Sequence, residues 1–572
     1  MKGKIWGLAA AAAVAFGMTG CLHDDNDYDY EKLNQLQGGN YNFGNLKSSG
    51  SPYSVLQGEE LTFAPTFKFT IDSVSPDVSY EWYVDRELQV GETGPTFVFK
   101  SDRCGSYEVT FAVIDNKSGL KFATSRTVNV RSIYQRGWCV LSDEGGRSVL
   151  HFIQPTTLTY ESVDEDGNPV MRDSLVYHTV LKDIVPDLGT GPVGLMNNIG
   201  DMDYSGDYGI DEYDELVVMQ DRWAELNGNT LEREVWTDQE FGDDLPDDFA
   251  PKEASMSYTS KAILDENGLI YWMNKGDVTD FHAGFYTAIG LNNNQKFSRL
   301  FQSPKWNEWY TNVVLALRAE DNSFVGIYDG ASASYGGTSI SENSQYMCGT
   351  VFDIADAAGN SEGRFKAIDK EVVDALPAAY EEYGDITSAT SGWLALLRDR
   401  TNPNSYELRY FLLDGDKYEG VLCTDYCEYP GITMADYRDM AVFNNRHYAV
   451  LADGNQLYYF QYLRDPNSGM EGSAVMMPLG EAMPSPVKAI HGFDLDTYTQ
   501  SYYGQLGVAL EDGSVYIFSV VEQLDADGVC QGVSRKQVFP DENTPEEDRN
   551  FGNVVDILYK LGNGMDYMSF TF

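Results

Sequence analysis

One pattern recurs from about residue 133 onward, and it restricts the fold more than any other feature of this chain. A short apolar run enters a polar turn, and an aromatic-rich run leaves it. Trp138-Cys139-Val140-Leu141 turns at Asp143-Glu144-Gly145-Gly146 into Val149-Leu150-His151-Phe152. Ala262-Ile263-Leu264 turns at Glu266-Asn267-Gly268 into Leu269-Ile270-Tyr271-Trp272. The same layout joins residues 313–317 to 324–328 at Asp321-Asn322, 393–397 to 408–411 through Thr401–Ser405, 448–451 to 457–460 at Asp453-Gly454-Asn455, and 507–510 to 515–518 at Asp512-Gly513. Leu216-Val217-Val218-Met219 starts a less regular copy. Asn-Gly and Asp-Gly between β-formers are strong hairpin signals. Runs this short do not read as buried helices. About seven hairpins over roughly 440 residues give roughly 60 residues per unit, which suits a β-propeller of about seven blades spanning residues 132–572. A stacked pair of sandwiches is the rival arrangement. Phe570-Thr571-Phe572 is expected to supply a closing strand beside the first repeat near Trp138.

Residues 51–131 have a different rhythm. Leu61 and Phe63, then Phe67, Phe69 and Ile71, alternate along one segment. Tyr80, Trp82 and Val84 alternate along the next, and Phe97 and Phe99 follow Gly94-Pro95. Tyr107, Val109, Phe111 and Val113 alternate again, and Val128 and Val130 close the segment. A period of two with turn residues between runs predicts strands packed on one face, here a small β-sandwich with Trp82 in its core. Gly105-x-Tyr107 is placed to make a tyrosine corner. The whole chain is therefore expected to be all-β, and 38 Tyr, 28 Phe and 54 Gly agree with that.

The start of the chain reads as an export signal. Lys2 and Lys4 precede an alanine-rich apolar run from Ile5 to Phe16 that is too short to span a bilayer, which needs about 20 residues. Met18-Thr19-Gly20-Cys21 follows and resembles the lipobox of bacterial lipoproteins, with Met18 in place of the usual leucine. That resemblance implies a signal peptide over residues 1–20 and lipidation at Cys21. Leu22–Glu31 is strongly acidic and resembles the surface-export signal of Bacteroidetes lipoproteins. Residues 21–50 as a whole read as a polar tether and linker with few core-forming residues. The net charge of −48 argues against nucleic acid as a partner, because phosphate binding needs clustered Lys and Arg.

Tyr80-Glu81-Trp82-Tyr83-Val84-Asp85, Gly105-Ser106-Tyr107-Glu108-Val109 and Val113-Ile114-Asp115 resemble polycystic-kidney-disease (PKD) domains, which are immunoglobulin-like. With the lipobox, the acidic tether and a body opening on Gly137-Trp138-Cys139-Val140-Leu141, the arrangement resembles the PKD-like family lipoproteins of Bacteroidetes. The resemblance implies an outer-membrane lipoprotein facing the cell exterior and working beside TonB-dependent importers of the SusC and SusD type. It brings no catalytic residues with it.

A search for chemistry finds few motifs. His23, His151, His178, His282, His447 and His491 include no His-Glu-x-x-His, and Cys423-x-x-x-Cys427 has no companion pair at zinc-ribbon spacing. No Gly-x-Ser-x-Gly elbow and no P-loop is present. The six cysteines beyond Cys21 permit disulfides, Cys423 and Cys427 being near enough to bridge locally, and buried free thiols are the equal alternative. The acidic loop 201–212 resembles a calcium loop, with Asp201, Asp203, Ser205, Asp207 and Glu212 as candidate Ca2+ ligands and Gly206 at the turn. Trp306, Trp309 and Tyr310 form a candidate aromatic platform for a peptide or glycan, against the plainer reading that they pack between blades. The expected function is a non-catalytic surface accessory of a nutrient importer. A stand-alone surface glycan-binding protein and a propeller-fold hydrolase are the alternatives.

Overall fold

The computed structural model describes residues 32–560 apart from 39–42, 44–45, 47–51, 72, 135, 164–168, 200–213, 258–259, 276–280, 283, 303–312, 330–347, 357–362, 379–389, 417–419, 444–447, 463–474, 495–502 and 525–529. The chain divides into two compact units, residues 1–130 and 131–572. Among the described residues, no helix is long and apolar enough to cross a membrane.

The first unit is a β-sandwich. A five-stranded sheet runs in the order Tyr53–Leu56, Lys121–Arg131, Gly105–Asp115, Val78–Val84 and Glu87–Leu88, and a two-stranded sheet pairs Glu60–Phe63 with Phe97–Lys100. Trp82 is fully buried and touches Phe63, Phe97 and Phe111. The Tyr107 hydroxyl donates to the carbonyl of Arg103, 2.9 Å away, which makes the expected corner. Two expectations need correction. The strand stops at Phe63, so Phe67, Phe69 and Ile71 do not share one strand, and Ile71 is exposed. Leu36, Phe43 and Leu46 lie in the sandwich core instead of a polar linker. Three apolar residues among polar ones have no period to betray them, yet each buries fully.

The second unit is a seven-bladed propeller. Blade 1 combines Asn553–Lys560 from the end of the described chain with Gly137–Glu144, Arg147–Val163 and Pro169–Leu181. Blade 2 is Gly194–Ile199, Asp214–Met219, Ala224–Leu226 and Arg233–Trp236. Blade 3 shows three strands, Pro251–Met256, Ser260–Asp265 and Ile270–Asn274. Blade 4 is Phe297–Leu300, Val313–Arg318, Ser323–Tyr328 and Val351–Asp356, and blade 5 is Glu371–Ala378, Thr390–Arg398, Ser405–Asp416 and Gly420–Thr433. The outer strands of these two blades pair in parallel, Ile354 with Val421, and fuse them into one sheet. Blade 6 is Tyr437–Val442, Tyr448–Asp453, Gln456–Gln461 and Met477–Pro478, and blade 7 is Val487–Asp494, Tyr503–Leu510, Val515–Leu524 and Cys530–Phe539. Every hairpin read from the sequence lies within one blade, and in each blade but the three-stranded blade 3 it forms the two middle strands.

The first strands of successive blades touch in a closed ring. Direct contacts join blade 1 to 2, 2 to 3, 3 to 4, 5 to 6, 6 to 7 and 7 to 1. Arg299 of blade 4 supplies the remaining link, donating to the carbonyls of Val372 and Val373 in blade 5. Six of the seven first strands carry a bulge near their start, followed by Asp556, Glu253, Arg299, Asp374, Asp439 or Ala489. A bulge turns one side chain out of the ladder and toward a neighbour. Asp556 thereby accepts the Leu195 amide of blade 2 at 2.8 Å, Glu253 the Leu300 amide of blade 4 at 2.7 Å, and Asp439 the Ile490 amide of blade 7 at 2.7 Å. Each carboxylate satisfies a backbone donor that would otherwise have no partner on that side.

The closing strand is Asn553–Lys560. Gly137–Glu144 is paired with it on one side and with Arg147–Val163 on the other, so both of its edges are filled by these strands, whereas Phe570–Phe572, expected beside it, lie outside the described residues. The junction is tightly packed. Trp138 is fully buried against Tyr559, and a Cβ added at Gly507 would lie 2.4 Å from its ring. Cys423 and Cys427 do not bridge each other. A bulge in their strand at Thr424, opposite Leu412/Leu413 of the neighbouring strand, changes its phase, sending Cys423 into the core shared with blade 4 and Cys427 toward that shared with blade 6.

Two stability changes follow. Gly507→Ala should destabilise the propeller by about 1–3 kcal/mol through overpacking against Trp138. Asp556→Ala should cost about 1–3 kcal/mol by leaving the Leu195 amide unsatisfied. Urea midpoints measure both, and a midpoint unchanged in either variant contradicts the corresponding contact.

Candidate functional site

Among the described residues, chemistry-bearing side chains gather between blades 2 and 3. Alternation explains their position. In Asp214–Met219, Leu216 and Val218 face the core shared with blade 1, while Val217 faces the core shared with blade 3. Glu215 has the parity of Val217. Asn198 is its register partner on the first strand, and Glu225 is the partner of Val217 on the third. In blade 3, Lys261 has the parity of Ile263, which lies in the same shared core. A bulge at Glu225/Leu226 frees Glu234 on the fourth strand. Glu240 comes from the 3-10 segment Thr237–Asp244, and His282 follows the last described strand of blade 3.

These side chains pair among themselves. Lys261 Nζ donates to Glu225 at 2.7 Å and to both oxygens of Glu240 at 2.7 and 3.0 Å. His282 Nδ1 lies 2.8 Å from Glu240, and Nε2 lies 2.8 Å from Glu215 and 3.4 Å from Glu234. Asn198 Nδ2 donates to Glu215 at 2.8 Å, Thr237 Oγ1 to Glu225 at 2.9 Å, and Asn227 Nδ2 to Glu234 at 2.7 Å. The side chains of Lys261, Glu225 and Glu215 are fully buried, whereas His282 keeps 25% and Glu234 35% exposure.

Four carboxylates thus face one ammonium and one imidazole. Burial and the nearby Glu225 push the Glu240 carboxyl up to about 7, against the pull of Lys261 and His282. Burial alone would lower His282, but its bonds to Glu215, Glu234 and Glu240 outweigh that and raise it to about 12. The bond to His282 holds Glu234 below the usual carboxylate range. Further buried polar contacts occur at the same end of these blades. Lys560 pairs with Asp214 at 2.9 Å, Lys275 donates to the Ser257 carbonyl at 2.7 Å, and Ser260 bonds Asp329. Burial lowers Lys275 to about 7.

Two groups here have ligand atoms that converge within 4.8 Å of one another, Glu215/Glu234/His282 and Glu225/Glu240/His282. The sequence search passed over them because their spacing follows no linear motif. The available signal was subtler: Asp214-Glu215, Glu225 and Lys261 sit inside apolar strand runs. The residues singled out from sequence, Cys21, Asp201, Asp203, Ser205, Asp207, Glu212, Trp306, Trp309 and Tyr310, lie outside the described residues.

Glu240 gives a pH signature. Its folded-state pKa is raised from 4.5 to about 7, so its contribution to stability is complete below pH 4.5 and is lost as pH rises through about 7. Glu240→Gln should flatten that part of the stability profile. Lys261→Met should destabilise by about 3–5 kcal/mol at pH 7, because Glu225 and Glu240 lose their buried counter-ion. That deficit should shrink toward pH 4 as the carboxylates take up protons. Urea unfolding across pH 4–8 tests both, and parallel profiles for all three proteins would contradict the assignment.

Comparison with known proteins adds the following. The model of the PKD-like family matches residues 21–182, which takes in the sandwich and the first three chain segments of blade 1 up to Pro169–Leu181. No curated protein matches the chain. Similar solved structures include a quinonprotein alcohol dehydrogenase-like protein from Bacteroides thetaiotaomicron (12% identity, 92% of this chain and 99% of that one, TM-score 0.35). Hsv2 of Kluyveromyces lactis is similar at 10% identity over 70% of this chain and 98% of that one, TM-score 0.36. Prp20p of Saccharomyces cerevisiae is similar at 8% identity over 68% and 82%, TM-score 0.34. Likenesses this distant carry no functional information, and the propeller assignment rests on the strand order and closed ring of this chain. By sequence, residues 21–182 are a match to the PKD-like family, carried on an all-β chain whose larger unit is a seven-bladed propeller.

Proposed function

We propose that the protein is a non-catalytic, lipid-anchored outer-membrane protein that faces the cell exterior and serves as an accessory to a TonB-dependent importer of the SusC/SusD type. The observation that carries this reading is where the family match begins. It starts at Cys21, the residue that the lipobox resemblance marks for acylation, and continues through the sandwich into the propeller. Several acyl chains on one cysteine anchor stably where one chain does not. The acidic stretch Leu22–Glu31 then keeps the body off an anionic surface. The propeller offers many connections between strand ends on which a peptide or glycan is captured or the importer is docked. His282 and Lys261 also fit a non-catalytic role, since glutamates engage both nitrogens of the ring and the ammonium.

Two measurements test this reading. Cells fed a radiolabelled fatty acid should label the wild-type protein, and Cys21→Ala should abolish the label and release the protein from the membrane fraction. A C-terminally tagged protein drawn from native outer membrane in mild detergent should bring down an importer and its lid lipoprotein in fixed ratio. Recovery of the protein alone would remove the accessory role and leave stand-alone glycan binding as the reading to test.

A further inference from the structure

We propose that His282, Glu215 and Glu234 form a binding site for one divalent transition-metal ion of the Zn2+ class, at the junction of blades 2 and 3. Three atoms converge there: His282 Nε2, Glu215 Oε1 and Glu234 Oε2. Tetrahedral zinc with ligand bonds near 2.1 Å sets its ligand atoms ~3.4 Å apart. The Nε2 to Glu234 separation is already 3.4 Å, and the 2.8 Å contact to Glu215 is that of a shared proton, which the ion would replace.

The other polar atom of each ligand is held in place. His282 Nδ1 is bonded to Glu240, which fixes the ring and leaves Nε2 as the donor atom. Asn198 holds the second oxygen of Glu215, and Asn227 holds that of Glu234. Asn198 is itself fully buried, and among the described residues its amide oxygen has no hydrogen-bond partner, although its nitrogen grips the cluster. An orphaned buried acceptor beside an excess of buried carboxylates marks a place short of positive charge. The neighbouring group, Glu225/Glu240/His282, has no such shortage, because the Lys261 ammonium already sits on both glutamates. The partial exposure of His282 and Glu234 gives an ion a route in and leaves its remaining coordination positions to water or a ligand. An imidazole among the ligands favours a first-row transition ion over calcium or magnesium. These residues are separate from the loop 201–212 read as a calcium candidate.

The test uses the purified full-length protein in detergent, stripped with a chelator and titrated with ZnCl2 in a calorimeter. The expected result is one saturable equivalent that raises the thermal midpoint. Proton release should accompany it, read from two buffers of different ionisation enthalpy, since His282 must give up its Nε2 proton. Glu234→Gln, a half-exposed change that spares the fold, should weaken binding more than about tenfold, and His282→Gln should abolish it. Glu232→Gln, an exposed glutamate outside the site, should leave it unchanged. The proposal is overturned if uptake is not saturable, if both ligand variants bind zinc as the wild type does, or if calcium displaces zinc at comparable concentration.

Discussion

The pairing of Asn553–Lys560 with Gly137–Glu144 is the constraint on which the propeller depends. Blades 2 to 7 form from neighbouring stretches of chain, but blade 1 takes its first strand from the far end of the described sequence. That pairing converts an open row of sheets into a ring and removes two exposed edges, which would otherwise be templates for association. The packing around it is correspondingly dense. Tyr559 stacks on Phe493 of blade 7 with ring centroids 3.9 Å apart and meets Trp138 edge-on, while Lys560 pairs with Asp214 of blade 2. One eight-residue strand therefore binds three blades together.

Ring closure also explains the position of the charge cluster. Each blade presents alternate residues to its two neighbours, so a polar residue of the wrong parity would face an apolar core. Between blades 2 and 3 the apolar layer of Met196, Val217, Phe241, Ile263 and Tyr271 fills most of the interface, and the glutamates with Lys261 occupy one end of it. Such a network is costly to desolvate and adds little net stability. Its persistence at a half-exposed place is better explained by ligation or by specification of the blade interface than by strength alone.

Much of the architecture was legible in the sequence. Turn chemistry between short apolar runs gave six of the blade hairpins, because polar turns such as Asp-Gly and Asn-Gly act locally and do not depend on the tertiary fold, while for blade 2 only the first run, Leu216–Met219, was readable. The tyrosine corner and the core role of Trp82 were readable for the same reason. The strand Asn553–Lys560 (Asn-Val-Val-Asp-Ile-Leu-Tyr-Lys) that pairs beside Trp138 went unread, since it has no hairpin partner nearby to announce it. The inner-strand bulges escaped notice because their residues, from Asp374 to Arg299 to Ala489, share a position and not a residue type. The cluster was illegible for a deeper reason. Its six members come from six separate segments, and their convergence is set by register and parity, which no linear spacing encodes.

Amide hydrogen exchange followed by mass spectrometry tests ring closure most directly. If Asn553–Lys560 closes blade 1, its amides should exchange as slowly as those of Trp138–Asp143, because neither strand can open without the other. Exchange of 553–560 at the rate of a free segment, with 138–143 still protected, would contradict the closed seven-bladed ring.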